Sequence, residues 1–247
     1  MTTRQHAPVS PPESLPAIVS ATGGGAGIQA DVKTMEAHDV FGTSAITATT
    51  AQNTTGVDDI NVLPTDHIAA QIDAVVDDFA VAAIKTGMLA TEAVIETVAD
   101  ALAEADAPAV VDPVMVAATG DRLLSEAAEA AYEEAFAHAR LVTPNADEAE
   151  LLTDRTVDSI DAAEAAGRDI VAMGADAALV KGGHIDGDDV VDTLVIGESN
   201  SSSDTVHTEQ FTHPRIDTDA THGSGCTLSS AIAARLASGQ SLTEAVA

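Results

Sequence analysis

Close to its C-terminal end the chain reads His222-Gly223-Ser224-Gly225-Cys226-Thr227-Leu228-Ser229 and continues into the small apolar run 231–234. Glycines at 223 and 225 let the backbone curl, so that successive N–H groups can point into one space. The apolar run predicts a helix, whose first turn has unpaired N–H donors and a partial positive charge. Two interpretations fit these residues: a cradle for a phosphate group, or a glycine turn that enters a buried helix. The chain's one cysteine lies at the rim, where a helix N-terminus would lower the pKa of its thiol.

Around this turn, short apolar segments alternate with segments of helical period. The predicted strands are 15–20, 41–51, 80–86, 108–112, 140–143, 176–182, 190–196 and 205–211. The predicted helices are 28–38, 64–79, 91–105, 125–138, 146–152, 159–173 and 227–238. The alternation predicts an α/β fold with a largely parallel sheet whose two faces are covered by helices. We expect residues 1–14, which are polar and proline-rich, to be a disordered lead-in to one domain over 15–247.

The net charge of −30, from 40 acidic and 10 basic residues, excludes nucleic acid as a partner, because a phosphate backbone would be repelled. The acidic residues are spread through periodic apolar segments, a pattern that resembles cytosolic proteins of extreme halophiles. Concentrated salt screens such a surface, since the Debye length falls to ~3 Å at molar ionic strength. A single cysteine excludes a disulfide framework, and no apolar run is long enough to span a bilayer. We therefore expect a cytoplasmic protein with no membrane partner.

Polar side chains follow several of the predicted strands. In a parallel sheet these positions meet at one edge, where α/β proteins bind their ligands. Asp112 can hold Mg²⁺ directly or through water. Lys181 can face a phosphate group or form a salt bridge, and the scarcity of lysine favours the phosphate. Gln52 can pair with the edge of a heterocycle, and Met88 is a soft wall for an aromatic ring.

Two motifs near these strand ends have structural explanations of their own. Asn145 and Glu148 occupy the N-cap and N3 positions of a predicted helix, so a capping box explains them as well as ligand binding does. Residues 25–30 fit the dinucleotide fingerprint G-x-G-x-x-A, but no acidic residue follows at the end of the next strand, which argues against such a cofactor. In the helix after that fingerprint, Lys33 is expected to face solvent.

Seven motifs occur in a fixed order from residue 23 onward. They are GGGAGIQAD (23–31), AQNTTGV (51–57), KTGML (85–89), DPVM (112–115), TPNADEAELL (143–152), KGGH (181–184) and THGSGCTLSSAIAA (221–234). In order and spacing the set resembles the hydroxymethylpyrimidine/phosphomethylpyrimidine kinases of thiamine biosynthesis, in the ribokinase superfamily. The cysteine at position 226 resembles the pyrimidine and pyridoxal kinases of that superfamily. Its sugar kinases usually carry aspartate at the same position.

The resemblance implies a ribokinase-like three-layer α/β/α fold with a mostly parallel central sheet, commonly found as a homodimer. It also implies Mg²⁺ as cofactor and ATP as phosphoryl donor. The first transfer goes to 4-amino-5-hydroxymethyl-2-methylpyrimidine, and the second converts the resulting monophosphate to the diphosphate. The implied site residues fall into four groups, for catalysis, for the pyrimidine, for ATP and for the metal. The catalytic group is Cys226 with the amides of Gly223, Ser224 and Gly225, and the pyrimidine group is Gln52, Met88, Val114, Asp31 and Gly25. The ATP group is Lys181, Asn145 and Thr143, and the metal group is Asp112 and Glu148.

Two departures from the family pattern leave alternatives open. Val19 and Ala21 stand where the family usually has glycine and aspartate, and a bulky valine would narrow the pyrimidine pocket. A catalytically silent pyrimidine-sensing domain is therefore one alternative, and pyridoxal kinase is another, although Gln52 favours the thiamine precursor. The second departure is at the C-terminus. Ser241 and Glu244 have the spacing of a capping box that begins a new helix, so we expect the natural chain to continue.

Overall fold

A computed structural model of the protein describes residues 14–18, 25–53, 56–115, 124, 126–185, 187–197, 206–218 and 222–247. The strands in these ranges are β1 (Ser14–Ile18), β2 (Phe41–Ala45), β3 (Ala48–Asn53), β4 (Gly56–Val62), β5 (Ile84–Thr86), β6 (Ala109–Val111), β7 (Leu141–Val142), β8 (Ala177–Val180), β9 (Asp189–Gly197) and β10 (Val206–Pro214). The helices are α1 (Gly27–Ala37), α2 (Thr65–Val76), α3 (Glu92–Glu104), α4 (Glu126–Phe136), α5 (Ala146–Thr153), α6 (Ile160–Ala172), α7 (Ser224–Ala237) and α8 (Leu242–Val246). Strands and helices alternate as the sequence predicts.

The main sheet of the described strands has the order β10-β9-β8-β7-β6-β5-β1-β2. Pairing is parallel from β2 through β1, β5, β6 and β7 to β8. Strands β9 and β10 extend the sheet as an antiparallel hairpin. In the parallel part Val111 pairs with both Thr86 and Val142, so the residues that follow these strands lie side by side. The carboxyl ends of the parallel strands therefore share one edge of the sheet, and the prediction of a mostly parallel sheet is confirmed.

Helices cover both faces of this sheet, because successive strand side chains point in opposite directions. Val110 and Leu141 are buried in a cluster with Ile232 of α7 and Leu242 of α8. The neighbouring positions of β6 and β7 point the other way, into a cluster built with α2, α3, α4 and α6. Strands buried on both faces need the continuous apolar runs that the sequence shows. The three-layer α/β/α arrangement is confirmed.

Helix α3 shows how the local sequence sets these elements. Its N-cap is Thr91, whose side chain accepts a hydrogen bond from the N–H of Val94, as the threonine before a periodic run predicts. The buried side chains recur at helical spacing on the face toward the sheet, at Val94, Ile95, Val98, Ala99 and Leu102. The helix therefore forms where capping and apolar period agree.

The predicted strand 41–51 is wrong, because the chain turns away from the sheet after β2. The side chain of Gln71 accepts from the N–H of Ile46 and donates to its carbonyl, each at 3.0 Å, and so holds the chain at the break. Strand β3 then pairs antiparallel with β4 in a hairpin outside the main sheet, with a bulge between Ala51 and Gln52. The sequence analysis missed β4, because adjacent acidic residues at 58 and 59 interrupt its apolar alternation.

Several expectations concern residues outside the described ranges. The lead-in 1–14 is one of them, apart from Ser14, which begins β1. Val19 and Ala21, and the loop between β9 and β10, lie outside as well. At the other end, Ser241 and Glu244 do form the predicted capping box at the start of α8. Among the helices that the structure describes, none is long and apolar enough to cross a membrane.

The charge of the chain leads to a prediction on stability. Exposed ion pairs such as Arg140 with Asp176 and Arg168 with Glu164 are weak in water and neutralise little of the net charge of −30. We expect the melting temperature to rise by roughly 10 °C from dilute buffer to molar KCl, because screening relieves repulsion among the acidic residues. Thermal melts across a KCl series measure this, with sucrose at matched osmolality as the control that does not screen. A melting temperature that stays flat in KCl contradicts the prediction.

Candidate active site

The N-terminal ends of α1 and α7 meet at the carboxyl edge of the sheet. Gly223, directly before α7, has a φ of +84°, and a Cβ at this position would lie 1.7 Å from the carbonyl oxygen of Gly25. Only glycine fits there, because the two backbones are in direct contact. Neither Gly223 nor Ala26, the N-cap of α1, provides a side-chain hydrogen bond to its helix. The first N–H groups of α7 are therefore suited to an anion, in line with the phosphate interpretation of the turn.

Cys226 lies in the first turn of α7 and is half-buried. Burial raises the pKa of its thiol, and the carboxylates of Asp112 and Asp31 raise it further. The ammonium of Lys85 and the backbone N–H of Gly27 oppose this effect and lower the thiol pKa. The net effect is a raised thiol pKa, because desolvation outweighs these favourable charges. The predicted lowering of the thiol pKa is therefore wrong.

Asp112 is the centre of a buried cluster at the strand ends. Its Oδ1 accepts from Lys181 Nζ at 3.0 Å and from Thr143 Oγ1 at 3.1 Å. Thr143 Oγ1 is also 2.9 Å from Ser229 Oγ, which ties α7 to the sheet edge. Burial opposes the charge on Asp112, but Lys181 and Lys85 hold the pKa of this carboxyl below its usual range. The cluster therefore favours the negatively charged form of Asp112 beneath the turn.

Lys181 takes part in the salt bridge that the sequence analysis ranked second. Its side chain is 14 % exposed, and its Nζ would be 3.1 Å from a Cβ on Gly225, so the ammonium faces the turn. Burial opposes this charge, but Asp112, Glu148 and Cys226 together raise the pKa of Lys181. A cation that is held next to backbone N–H groups can also meet a phosphate. The phosphate contact of Lys181 stays a prediction.

Asn145 and Glu148 form the capping box of α5. The N–H of Glu148 donates to Asn145 Oδ1 at 2.8 Å, and the N–H of Asn145 donates to Glu148 Oε2 at 2.9 Å. The structural explanation of this motif is therefore confirmed. Burial raises the pKa of Glu148 to about 7, with Lys181 lowering it and Asp112 raising it. The two predicted metal ligands, Asp112 and Glu148, thus lie close enough for their charges to interact.

This pair of carboxylates fits Mg²⁺ as it is used with nucleotides. Mg²⁺ usually takes one or two protein carboxylates, with waters and substrate phosphates as its other ligands. Asp112 and Glu148, beside the glycine turn, therefore fit an ion whose other ligands are water and substrate phosphate.

A second buried ion pair, which was not predicted from the sequence, joins Lys85 of β5 to Asp31 of α1. Lys85 Nζ lies 3.1 Å and 3.2 Å from the two carboxylate oxygens, and both side chains are fully buried. Ser230 of α7 donates to Asp31 Oδ1 at 2.6 Å. The contacts that the structure shows for Asp31 are with Lys85 and Ser230, and its contact with the pyrimidine stays a prediction. The available signal was Lys85 itself, one of three lysines in the chain, in an apolar strand.

Two of the residues predicted for the pyrimidine, Met88 and Val114, follow strands that end at this edge. Gln52 is half-buried on β3, and Met88 is buried in the loop after β5. Thr47, next to β3, donates to the carbonyl of Met88 at 3.0 Å and joins the β3–β4 hairpin to that loop. Val114 is half-buried two residues beyond Asp112. Gly25 is exposed beside the imidazole of His222, where a Cβ would lie 3.2 Å from the ring.

Arg215, which stands outside every motif quoted above, organises the loop after β8. Its guanidinium donates to the carbonyl oxygens of Gly183, Ile185 and Gly187, at 2.8, 2.5 and 2.9 Å. The loop begins directly after Lys181, and Asp192 holds its first N–H, that of Gly182, at 2.8 Å. Nothing local in the sequence predicts this contact, because it joins positions about 30 residues apart.

The parallel sheet, with a glycine turn, a lysine and buried carboxylates at one edge, aligns with solved kinase structures, and this defines the class: a phosphotransferase with the ribokinase-like fold. The family model for phosphomethylpyrimidine kinase matches residues 22–247. The chain therefore belongs to the phosphomethylpyrimidine kinase family, as the resemblance of its motifs predicts.

Individual relatives agree with this assignment. The chain is 47% identical over 240 residues to the hydroxymethylpyrimidine/phosphomethylpyrimidine kinase of Streptomyces coelicolor, covering 97% of this chain and 86% of the relative. It is 43% identical to the enzyme of the same name from Bacillus subtilis, covering 92% and 82%. Among solved structures, phosphomethylpyrimidine kinase from Clostridium difficile aligns with a TM-score of 0.79 and 36% identity, covering 94% of both chains. An ADP complex of Bacillus subtilis pyridoxal kinase aligns with a TM-score of 0.84 and 33% identity, covering 95% and 87%.

Proposed function

We propose that this protein transfers the γ-phosphoryl group of ATP to the hydroxymethyl oxygen of 4-amino-5-hydroxymethyl-2-methylpyrimidine, and then phosphorylates the resulting monophosphate, in thiamine biosynthesis. The observation that carries the proposal is the glycine turn at the joined helix ends, with Lys181 and Asp112 directly beside it. Phosphoryl transfer needs positioning and charge stabilisation above all, and this arrangement supplies both. The names of the curated relatives support the substrate.

Each group at the turn has a distinct task in this proposal. The amides of Gly223, Ser224, Gly225 and Cys226 donate to the transferring phosphoryl group, where negative charge develops. The acceptor oxygen forms its bond to phosphorus while the bond to the bridging oxygen breaks, and that electron pair leaves with ADP. Cys226 either takes the proton of the acceptor hydroxyl or orients that hydroxyl.

The other residues hold the nucleotide and the pyrimidine. Lys181 meets the ATP phosphates, with Asn145 and Thr143 beside it. Asp112 and Glu148 would hold Mg²⁺, which when bound neutralises phosphate charge. Thr143 also has a second task, because its buried hydroxyl donates to the carboxylate of Asp112 and holds it in place. On the substrate side, the proposed pyrimidine contacts are Gln52, Met88, Val114, Asp31 and Gly25.

Pyridoxal kinase is the second candidate, favoured by the alignment with pyridoxal kinase structures. Their identity to this chain is 31–33%, against 40–47% for curated relatives named as pyrimidine kinases, so the pyrimidine is the better supported substrate. The deciding experiment measures ATP turnover in molar KCl with hydroxymethylpyrimidine, its monophosphate and pyridoxal. Turnover of pyridoxal alone would reject the thiamine precursor, and no turnover of any of them would favour the silent pyrimidine-sensing domain.

We further propose that the enzyme works in the cytoplasm as a homodimer. The cytoplasm supplies ATP and keeps the single thiol reduced. Sedimentation of the purified chain in molar KCl measures its mass, and a monomer at catalytic concentrations would reject the dimer.

Gln52 provides a specific test of the pyrimidine assignment. Its amide can both donate to and accept from an aminopyrimidine, and a lost polar contact in a buried site costs ~1–3 kcal/mol. We expect Gln52→Leu to raise the KM for hydroxymethylpyrimidine about tenfold or more, with the KM for ATP little changed. Gln210→Leu, at an exposed position of β10, is the matched control and should alter neither constant. Equal increases in both KM values for Gln52→Leu would reject the assignment.

A further inference from the structure

Lys85 is a buried cation to which the proposed phosphoryl transfer assigns no task. It lies on β5, in the middle of the parallel sheet, with both its ammonium and the carboxylate of Asp31 fully removed from solvent. Burying two charges costs free energy that a pair of well-packed apolar residues would not cost. Joining β5 to α1 with an apolar pair would cost less free energy, so a purely structural role does not explain the ion pair. The groups around the pair indicate what else it does.

The pair lies on the same side of α7 as Cys226. Ser230, which donates to Asp31 at 2.6 Å, follows Cys226 by four residues, and positions four apart lie on one face of a helix. Helix α7 also packs against β1, β5 and β6 as well as α1. The face that carries Cys226 and Ser230 is thus the face that meets Asp31 and Lys85.

We propose that Lys85 is a positioning residue, whose buried ammonium holds Asp31 and provides the counter-charge for a thiolate at Cys226. The catalytic meaning of this inference rests on the proposed function, in which Cys226 can accept the proton of the acceptor hydroxyl. A thiol must lose its own proton before it can accept another, and burial makes that loss unfavourable. A fixed cation below the helix offsets part of this desolvation without contacting either substrate.

Other charges around Cys226 set the expected signs. Lys85 from β5 and Lys181 from the end of β8 favour a thiolate, whereas Asp31 from α1 and Asp112 from the end of β6 oppose it. Lys85 is the cation that acts most strongly on this thiol. Removal of Lys85 and removal of the Asp31 charge must therefore shift the thiol titration in opposite directions. A structural role alone would not produce opposite signs.

The experiment uses the fact that the chain has one cysteine, so that alkylation reports Cys226 only. The pH dependence of iodoacetamide labelling is measured in molar KCl for wild type, Lys85→Met, Lys85→Arg and Asp31→Asn. We expect the midpoint to rise by about one pH unit in Lys85→Met, equivalent to about tenfold slower labelling at a fixed pH below it. Asp31→Asn should lower the midpoint, and Lys85→Arg should stay close to wild type. Lys33→Met, an exposed lysine of α1, controls for the loss of one positive charge.

Lys85→Met leaves Asp31 buried without its cation and can fail to fold. The double variant Asp31→Asn/Lys85→Met avoids this problem, and it differs from Asp31→Asn only in Lys85. A higher midpoint in the double variant than in Asp31→Asn supports the proposal. Equal midpoints, shifts of the same sign in Lys85→Met and Asp31→Asn, or an effect no larger than that of Lys33→Met overturns it. Labelling needs no substrate, so an inactive wild type with the expected shifts would reject the proposed function and leave the electrostatic role of Lys85 intact.

Discussion

Cys226→Ala is expected to lower kcat for hydroxymethylpyrimidine by about 100-fold or more, with little change in ATP affinity. The thiol lies in the first turn of α7, next to the N–H of Gly27 at the start of α1. In the proposed site that position faces the acceptor hydroxyl, whereas the nucleotide phosphates lie toward Lys181. The loss should therefore appear in the chemical step and not in nucleotide binding. Steady-state kinetics gives kcat, and calorimetric titration with ADP gives the nucleotide affinity.

A conservative variant separates the two tasks that remain open for this thiol. Cys226→Ser keeps a hydroxyl that can orient the acceptor but ionises far less readily than a thiol. Activity close to wild type in Cys226→Ser would assign Cys226 to orientation, and a loss equal to that of alanine would assign it to proton transfer. Near-normal turnover in Cys226→Ala would make the cysteine a structural residue and contradict the prediction.

Gly223→Ala is expected to lower kcat/KM by about 100-fold or more and to destabilise the fold. A Cβ at this position would lie 1.7 Å from the carbonyl oxygen of Gly25 and 2.7 Å from its carbonyl carbon, so one of the two backbones must move. Such a movement carries the N–H donors of the turn away from the phosphoryl group, and one lost donor of this kind typically costs 10²–10³-fold, as an order-of-magnitude estimate.

Gly239 provides the matched control for backbone strain. It has a φ of +81°, close to that of Gly223, but a Cβ there would meet nothing within 4 Å. Gly239→Ala should therefore show only the cost of the left-handed backbone, about 1 kcal/mol, with kcat/KM unchanged. Kinetics and thermal melts of both variants in molar KCl make the comparison. Equal activity losses in the two variants, or full activity in Gly223→Ala, would contradict the prediction.

Much of the fold could be predicted from the sequence, because the decisive signals are local. Continuous apolar runs mark strands buried on both faces, and Thr91, Asn145 and Ser241 mark helix starts through their own side chains. The break between β2 and β3 could not be predicted in this way. It depends on Gln71, which is 25 residues from the backbone of Ile46 that it holds.

In the candidate site as well, some features could be predicted from the sequence, whereas others depend on contacts between distant residues. The topology of a parallel sheet places strand-end residues together, so the proximity of Asp112, Thr143 and Lys181 follows from the strand assignment alone. The charges around Cys226 depend on contacts between distant parts of the chain, as with Lys85 and Asp31, which are 54 residues apart. The helix dipole at Cys226 can be predicted from the sequence, but the desolvation of the thiol depends on tertiary packing, and it reverses the predicted direction of the pKa shift.

The meeting of α1 and α7 has a consequence for how this chain can vary. The donors at their ends are main-chain amides, which every residue other than proline carries. Substitutions on the outer surface can therefore change the overall charge, here −30, without removing the donors that the proposed function assigns to phosphate. A protein that bound its anion with exposed lysines would lose that affinity as its surface became acidic. In the proposed site, anion recognition would depend on the backbone and the net charge on the surface side chains, so that selection could change one without disturbing the other.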